Sequence, residues 1–270
     1  MRVLFLITVD CDLRCEDIGL RQESLEVLLD IFGEAGLAGH ITWFANENDF
    51  RLTKDHQAFL HELLRRGDDL GVHDHFEPFK GVYERETIRE FCRRSKETVE
   101  RWLEENGRPM DMWLHRNGCL VQHSEVYSAL KDLGYTVVSE VWPGNKRVTR
   151  DGYPAFDNRS VPIGTMPYRH DEENFLDWRS RKGHFVQVPV MHMGMKNLDY
   201  PLMDRWVQAF GEKSIDPGVM VWLFHPYEIL ERDRISSEAV GILRSHLGRL
   251  KDEHGVTFAG MKEALTQLQL

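Results

Sequence analysis

The chain has 270 residues, enough for one large α/β domain or two small ones. A hydrophobic share of 41% with a charged share of 29% is that of an ordinary folded globule, which argues against disorder. The 44 acids outnumber the 34 bases for a net charge of −10, which disfavours nucleic acid or an anionic membrane as the main partner.

The first apolar run, Val3 to Val9, stops at Asp10 and has no small-residue cleavage site, so it does not read as a secretory signal. No apolar run approaches the roughly 20 residues of a membrane helix. Cysteines at 11, 15, 92 and 119 do not resemble a secreted disulfide framework. The expectation is a cytoplasmic protein with reduced thiols and no membrane span.

Short runs rich in Val, Ile, Phe and Trp predict strands near 3–9, 40–45, 69–73, 111–115, 135–139, 185–191, 219–224 and 255–259. Helical spacing links Leu25, Leu28, Leu29 and Phe32, then Phe59, Leu60, Leu63 and Leu64, then Phe91, Thr98 and Trp102. Gly67, Gly107 and Gly134 stand where helices should stop. Strand-then-helix alternation predicts a largely parallel sheet, and eight strands suggest a closed or nearly closed α/β barrel in one domain, residues 1–270. The stretch 140–184 breaks the rhythm. It has four prolines, two tryptophans and no helical pattern, and it predicts an ordered lid or substrate wall.

In a parallel barrel the active site lies at the carboxyl ends of the strands, so the polar residues closing each run matter most. The first run closes on Asp10-Cys11-Asp12, the third on His73-Asp74-His75-Phe76-Glu77, the fourth on His115-Arg116-Asn117-Gly118 and the seventh on His225-Pro226. Carboxylates and imidazoles hold borderline divalent ions, and a second carboxylate can take a proton from water. In extended chain Asp10 and Asp12 share a face, as do His73 and His75, whereas His73 and Glu77 would meet if the chain turned helical. Each signal alone is weak, since an Asp after a strand is commonly a cap and a His commonly structural. Of the 13 histidines, His56, His61, His246 and His254 read as helix-surface residues. A Gly-x-Ser-x-Gly elbow, a phosphate-binding Gly-rich loop, His-Glu-x-x-His and Cys-x-x-Cys are all absent from the sequence.

Thr8-Val9-Asp10-Cys11-Asp12, Asp69-Leu70-Gly71-Val72-His73, Arg116-Asn117-Gly118, Asp132-Leu133-Gly134-Tyr135 and Leu223-Phe224-His225-Pro226 follow one another in an order that resembles the polysaccharide deacetylase family. This family is also called NodB-homology or carbohydrate esterase 4. The resemblance covers most of residues 1–226. It implies a distorted, TIM-like (β/α)7-8 barrel and hydrolysis of an acetamido C–N bond. Asp10 then resembles the catalytic base, Asp12 and His73 metal ligands, Arg116 the residue that tethers the base, and His225 the general acid. The cofactor implied is a divalent metal ion, zinc first, with nickel, cobalt and manganese as alternatives.

The family's second block has His-x-x-x-His where this chain has Glu77, so the third ligand is His75, as in a His-x-His version, or Glu77. The third block lacks its proline, which leaves the oxyanion hole unassigned between Gly118 and Cys119. The family's Asp/Trp block matches Asp177-Trp178, taken here as substrate contacts, or alternatively Glu140-Val141-Trp142. The expected substrate is an N-acetylated sugar, nucleotide-linked, lipid-linked or part of an oligosaccharide, used in surface-polysaccharide (O-antigen) biosynthesis. Two alternatives stand beside it: a C–N hydrolase of a small cyclic amide, and a sugar-binding relative without catalysis.

Overall fold

The computed structural model describes residues 1–12, 18–46, 54–232 and 234–270, and the side chains among these except those of 18, 19, 21 and 54–57. Cys15 and the His56 side chain lie outside them. In chain order the elements begin with β1 (Val3–Asp10), α1 (Ile18–Glu34), β2 (Ile41–Ala45), α2 (Lys54–Arg66) and β3 (Asp69–Asp74). They continue with α3 (Arg85–Glu105), β4 (Leu114–Asn117), α4 (Ser124–Asp132), β5 (Val137–Val138), β6 (Lys146–Val148), β7 (Pro154–Asp157), β8 (Tyr168–His170) and β9 (Phe185–Gln187). The last are β10 (His192–Met193), α5 (Tyr200–Glu212), β11 (Gly218–Phe224), α6 (Ser237–Asp252), β12 (Thr257–Phe258) and α7 (Met261–Leu268).

The chain divides into two compact units. One comprises Met1–Ala45, Leu52–Leu70 and Met191–Leu270, and the other Asn46–Arg51 and Gly71–Val190.

In the first unit every residue of β1 is buried. β1 pairs in parallel with β11, from Val3↔Gly218 to Val9↔Phe224, and with β2, from Ile7↔Ile41 to Asp10↔Phe44. A parallel strand with both edges paired and both faces covered must be continuously apolar, which is why β1 and β11 read as unbroken runs. α1 lays Leu25, Leu28, Leu29 and Phe32 on the core, with Phe32 edge-on to Trp43 at 5.9 Å. α2 buries Phe59, Leu60 and Leu63 and stops at Gly67, whose φ of 82° a side chain would disfavour.

In the second unit the end of β3, then β4, β5 and β9, run parallel, and β8 pairs antiparallel on β9 at the edge. α3 covers the unit with Ile88, Cys92, Ser95, Val99, Trp102 and Leu103. The strand expected at 111–115 starts only at Leu114. The stretch 140–184 has no helix, as expected, but it holds the β6–β7 hairpin and β8. Strands of three or four residues are too short for alternation to register in a sequence window.

Cys11, Cys92 and Cys119 are thiols rather than disulfides. No helix among the described residues is long and apolar enough to cross a membrane.

Candidate active site

The first unit brings Asp10, Asp12 and His225 to one edge of its sheet. Val9 lies beside Phe224 in the β1–β11 register, so Asp10 and His225 leave neighbouring parallel strands at the same level. Asp10 is 3% exposed, and the turn beyond it is closed by Asp12 N donating to Asp10 O at 2.7 Å. Pro226 opens a single 3-10 turn, Pro226–Ile229, that carries Glu228 back onto His225. Glu228 Oε1 accepts from the His225 backbone N–H at 2.9 Å and lies 3.0 Å from Nδ1, while Oε2 accepts from Met195 N at 2.7 Å. Burial pushes the Glu228 carboxyl up, but the hydrogen bonds of His225 and Met195 outweigh it and hold the acid below its ordinary range. An ionised carboxylate only accepts, so His225 Nδ1 carries a proton and Nε2 is the outward nitrogen. Nε2 stands 4.0 Å from Asp12 Oδ2, and the ring stacks on Tyr227 at 4.8 Å.

The second unit collects the remaining predicted residues. β3 and β4 pair His73 with Arg116 and Asp74 with Asn117. His73 Nδ1 lies 3.0 Å from the Arg116 carbonyl, which can only accept, so the Nδ1 proton is fixed and Nε2 holds the ring's lone pair. That is how the outer partner of a metal-ligating imidazole sets its tautomer. The His75 ring meets that of His73 edge-on at 4.8 Å, and its Nδ1 lies 3.1 Å from both oxygens of Glu77.

The chain does turn at Glu77, in the 3-10 turn Glu77–Phe79, but Glu77 engages His75 and not His73 across the i, i+4 spacing weighed above. Burial raises the Glu77 carboxyl, yet the contacts of His75 and Cys119 overcome this and bring it down to about 2. Cys119 Sγ donates to Glu77 Oε1 at 2.9 Å. A Cβ on Gly118 would stand 2.5 Å from His75 Nδ1, so only glycine admits the imidazole there. Cys119 and Leu120 follow with φ of 53° and 55°, two consecutive left-handed residues that cost of order 1 kcal/mol each and tend to gather at functional sites.

Arg116 is fully buried and donates through Nε to Ser139 O at 3.0 Å and through Nη2 to Ser139 Oγ at 2.7 Å. Behind it, on the other face of β3 and β4, lies a polar layer that the sequence did not announce. His115 Nε2 is 2.9 Å from Asp74 Oδ2, and Ser95 Oγ of α3 donates to Asp74 Oδ1 at 2.6 Å. With Cys92 these groups meet the spacing for a metal. Burial lowers the His115 pKa and raises the Cys92 thiol well above its usual value, and the Asp74 hydrogen bonds to His115 and Ser95 make the cluster a hydrogen-bonded pillar. Glu140, also buried, accepts from Asn117 N at 3.3 Å; burial pushes it up to about 8 against the pull of Arg116 and Asn117.

The structure separates the two candidates for the Asp/Trp block. Asp177 and Trp178 lie in the loop between β8 and β9. Because β9 runs parallel to β5, that loop feeds the amino end of the strand. Glu140-Val141-Trp142 leaves the carboxyl end of β5, on the edge where His73 and Arg116 stand. Exposed Asp177 and half-buried Trp178, the latter under the Arg179 guanidinium at 4.6 Å, belong to the loop that enters β9 at its amino end.

No protein-family model matches the chain, and no curated protein matches it. Its likeness is to solved structures. A candidate glycoside hydrolase/deacetylase from Parabacteroides distasonis superposes with a TM-score of 0.64 at 12% identity, over 100% of this chain and 72% of that one. The Xyl-CE4 domain of a multidomain xylanase from the hindgut metagenome of Trinervitermes trinervoides gives 0.54 at 12% identity, over 100% and 93%. A 4-α-glucanotransferase from Thermococcus litoralis gives 0.59 at 14% identity, over 99% of this chain but only 40% of that one. At such identities the likeness is one of fold, and the α/β fold expected from the sequence is the one these proteins have. They are named for different chemistries, so the activity has to be argued from the residues.

Proposed function

We propose that the chain is a metal-dependent N-deacetylase that hydrolyses the acetamido group of an N-acetylated sugar. The observation that carries this is the His73 ring, one residue before the end of β3. Its Nδ1–H is committed to a backbone carbonyl, which leaves Nε2 as a donor nitrogen. In this reading Asp12, His73 and His75 would hold the ion, one carboxylate and two imidazoles being the donor set of a catalytic zinc-type ion that keeps a position open, with Glu77 the alternative third ligand. Such an ion would supply Lewis acidity toward the acetamide carbonyl and toward a water nucleophile near neutral pH.

The chain's own groups do the rest. Asp10 takes the proton from the attacking water, and Arg116 belongs with it as the cation that orients the base. As the C–N bond breaks, doubly protonated His225 gives its Nε2 proton to the leaving nitrogen and keeps the Nδ1 proton hydrogen-bonded to Glu228, and acetate and a free amino sugar depart. The sugar wall in this reading is Trp142 rather than Trp178. In its finer form the proposal is a cytoplasmic enzyme acting on a nucleotide- or lipid-linked sugar during surface-polysaccharide assembly. That part rests on the sequence resemblance alone.

The test is an acetate-release screen over nucleotide-linked N-acetyl sugars and chitooligosaccharides, with metal analysis of the purified protein. One divalent ion per chain and acetate release, both lost in Asp12→Ala and His73→Ala, are expected. A metal-replete protein that releases ammonia or opens a ring from a cyclic amide, and never acetate, overturns the deacetylase reading.

A further inference from the structure

His75 and Glu77 follow β3 two residues apart, and Phe76 between them anchors the chain. It is fully buried and packs edge-on against Phe91 of α3 at 5.9 Å. From there the backbone breaks out of the extended form. Phe76 has φ of −100° and ψ of 1°, and Pro78 lies at the start of the 3-10 turn Glu77–Phe79. The break brings the Glu77 carboxylate back onto the His75 ring, with both oxygens 3.1 Å from Nδ1. An ionised carboxylate can only accept, so the hydrogen of this contact is on Nδ1.

His73 makes the same commitment two residues earlier, its Nδ1 3.0 Å from the Arg116 carbonyl. The two rings meet edge-on at 4.8 Å. Each has an acceptor at Nδ1, so each keeps its ring lone pair on Nε2. Outer partners of this kind set the tautomer and orientation of metal-bound imidazoles. The third block completes the support. Cys119 Sγ donates to Glu77 Oε1 at 2.9 Å, from a residue held at a left-handed φ of 53°. Gly118 lies against the imidazole, since a Cβ there would stand 2.5 Å from His75 Nδ1 and force the ring away. Glu77 is thus engaged on both oxygens, Oε1 by the imidazole and the thiol, Oε2 by the imidazole. The Glu77 that stands in place of the family's histidine and the third block that lacks the family's proline meet in the Cys119 contact.

We propose that Glu77 is a positioning residue and not a metal ligand: it takes the Nδ1 hydrogen of His75, is itself held by the Cys119 thiol, and so presents His75 Nε2 as the third ligand atom. This rests on the metal-dependent reading for the ion itself. The open choice between His75 and Glu77 then closes on His75, and Cys119 acts on the ion only through Glu77 and His75.

The test has two arms. In the first, long-range proton–nitrogen NMR correlations of the metal-free protein in mild alkali read which nitrogen of His75 carries the hydrogen, with His75→Ala identifying its signals. The Nδ1–H form is expected in the wild type and in Glu77→Gln, whose amide oxygen still accepts, and a shift toward Nε2–H in Glu77→Ala. In the second arm, cobalt(II) binding is followed by competition with a chromophoric chelator. Glu77→Ala is expected to weaken it about 10- to 100-fold, the range for outer partners of metal-bound histidines, and Glu77→Gln by about tenfold at most. His75→Ala is expected to lose more than either. At saturating cobalt the visible absorption band, which reads the number and type of ligands, is expected to be the same in wild type and Glu77→Gln. That variant carries the test should Glu77→Ala lower the thermal midpoint. A changed band in Glu77→Gln, wild-type cobalt affinity in His75→Ala, or an Nε2–H ring in the wild type overturns the proposal. A protein that takes up no cobalt, yet shows the Nδ1–H form and loses it in Glu77→Ala, overturns the metal-dependent reading and leaves the hold of Glu77 on His75 standing.

Discussion

One oxygen of Glu228 holds His225 at two points, the backbone N–H at 2.9 Å and Nδ1 at 3.0 Å. A ring gripped through its chain and its side chain has one orientation open to it, with Nε2 toward Asp12. Nothing in the Leu223-Phe224-His225-Pro226 block points to a carboxylate partner three residues on. The 3-10 turn opened by Pro226 supplies it.

Glu228→Gln is expected to lower kcat about 10-fold or more, in the range seen for outer-shell partners of active imidazoles. The Glu228 carboxyl is held below its ordinary value in the fold, so its contribution to stability is present above the unfolded pKa and is lost as pH falls through the folded one. Thermal midpoints of wild type and variant should therefore differ near neutrality and converge in acid. A gap that does not narrow on acidification would place the stabilisation elsewhere.

Asp10→Asn keeps the shape of a 3%-exposed side chain while removing the base. The expected result is retained metal and fold with turnover reduced about 10²–10⁴-fold. Metal analysis with steady-state kinetics checks it, and near-normal turnover would assign the proton transfer to another group.

His225→Ala is expected to cut kcat about 10²-fold with little change in KM, because proton donation to the departing nitrogen occurs only in the transition state. A structural histidine would behave otherwise, lowering the thermal midpoint with turnover intact. Measuring both on one protein separates the two.

Glu140→Gln bears on the pillar behind Arg116. Burial pushes Glu140 up to about 8, so the folded chain keeps a proton there that the unfolded chain has released. Stability then falls as pH rises from the ordinary carboxyl range toward 8, at up to about 1.4 kcal/mol for each unit of the shift. The amide can still accept from Asn117 N, so the variant should show a flatter stability profile and be the more stable protein in mild alkali. Denaturant midpoints between pH 5 and 9 decide this, and parallel profiles would place the proton elsewhere.

Eight strands were legible in the sequence together with the polar residues that close the first, third, fourth and seventh of them, whereas β6, β7, β8 and β10 were not. Parallel strands buried on both faces are largely apolar, so β1 and β11 are visible as runs, and Asp10, the last residue of β1, and His225, just after β11, stand out as the ionisable residues that close them. His73 and Arg116 were legible for the same reason, although neither ends its strand.

What only the tertiary structure decided depends on partners far apart in the chain or on the direction of a short strand. Asp74 meets His115 and Ser95 across intervals of 41 and 21 residues, and no local pattern encodes that. Glu77 went to His75 and not to His73 because the chain made a single tight turn in place of an α-helix. Asp177-Trp178 is the nearer match to the Asp/Trp block and Glu140-Val141-Trp142 the alternative. They separate only because β9 is parallel to β5, which puts the loop before β9 at the amino edge and the segment after β5 at the carboxyl edge. A two- or three-residue strand has too few side chains to reveal its direction, and backbone pairing with its neighbours alone sets it.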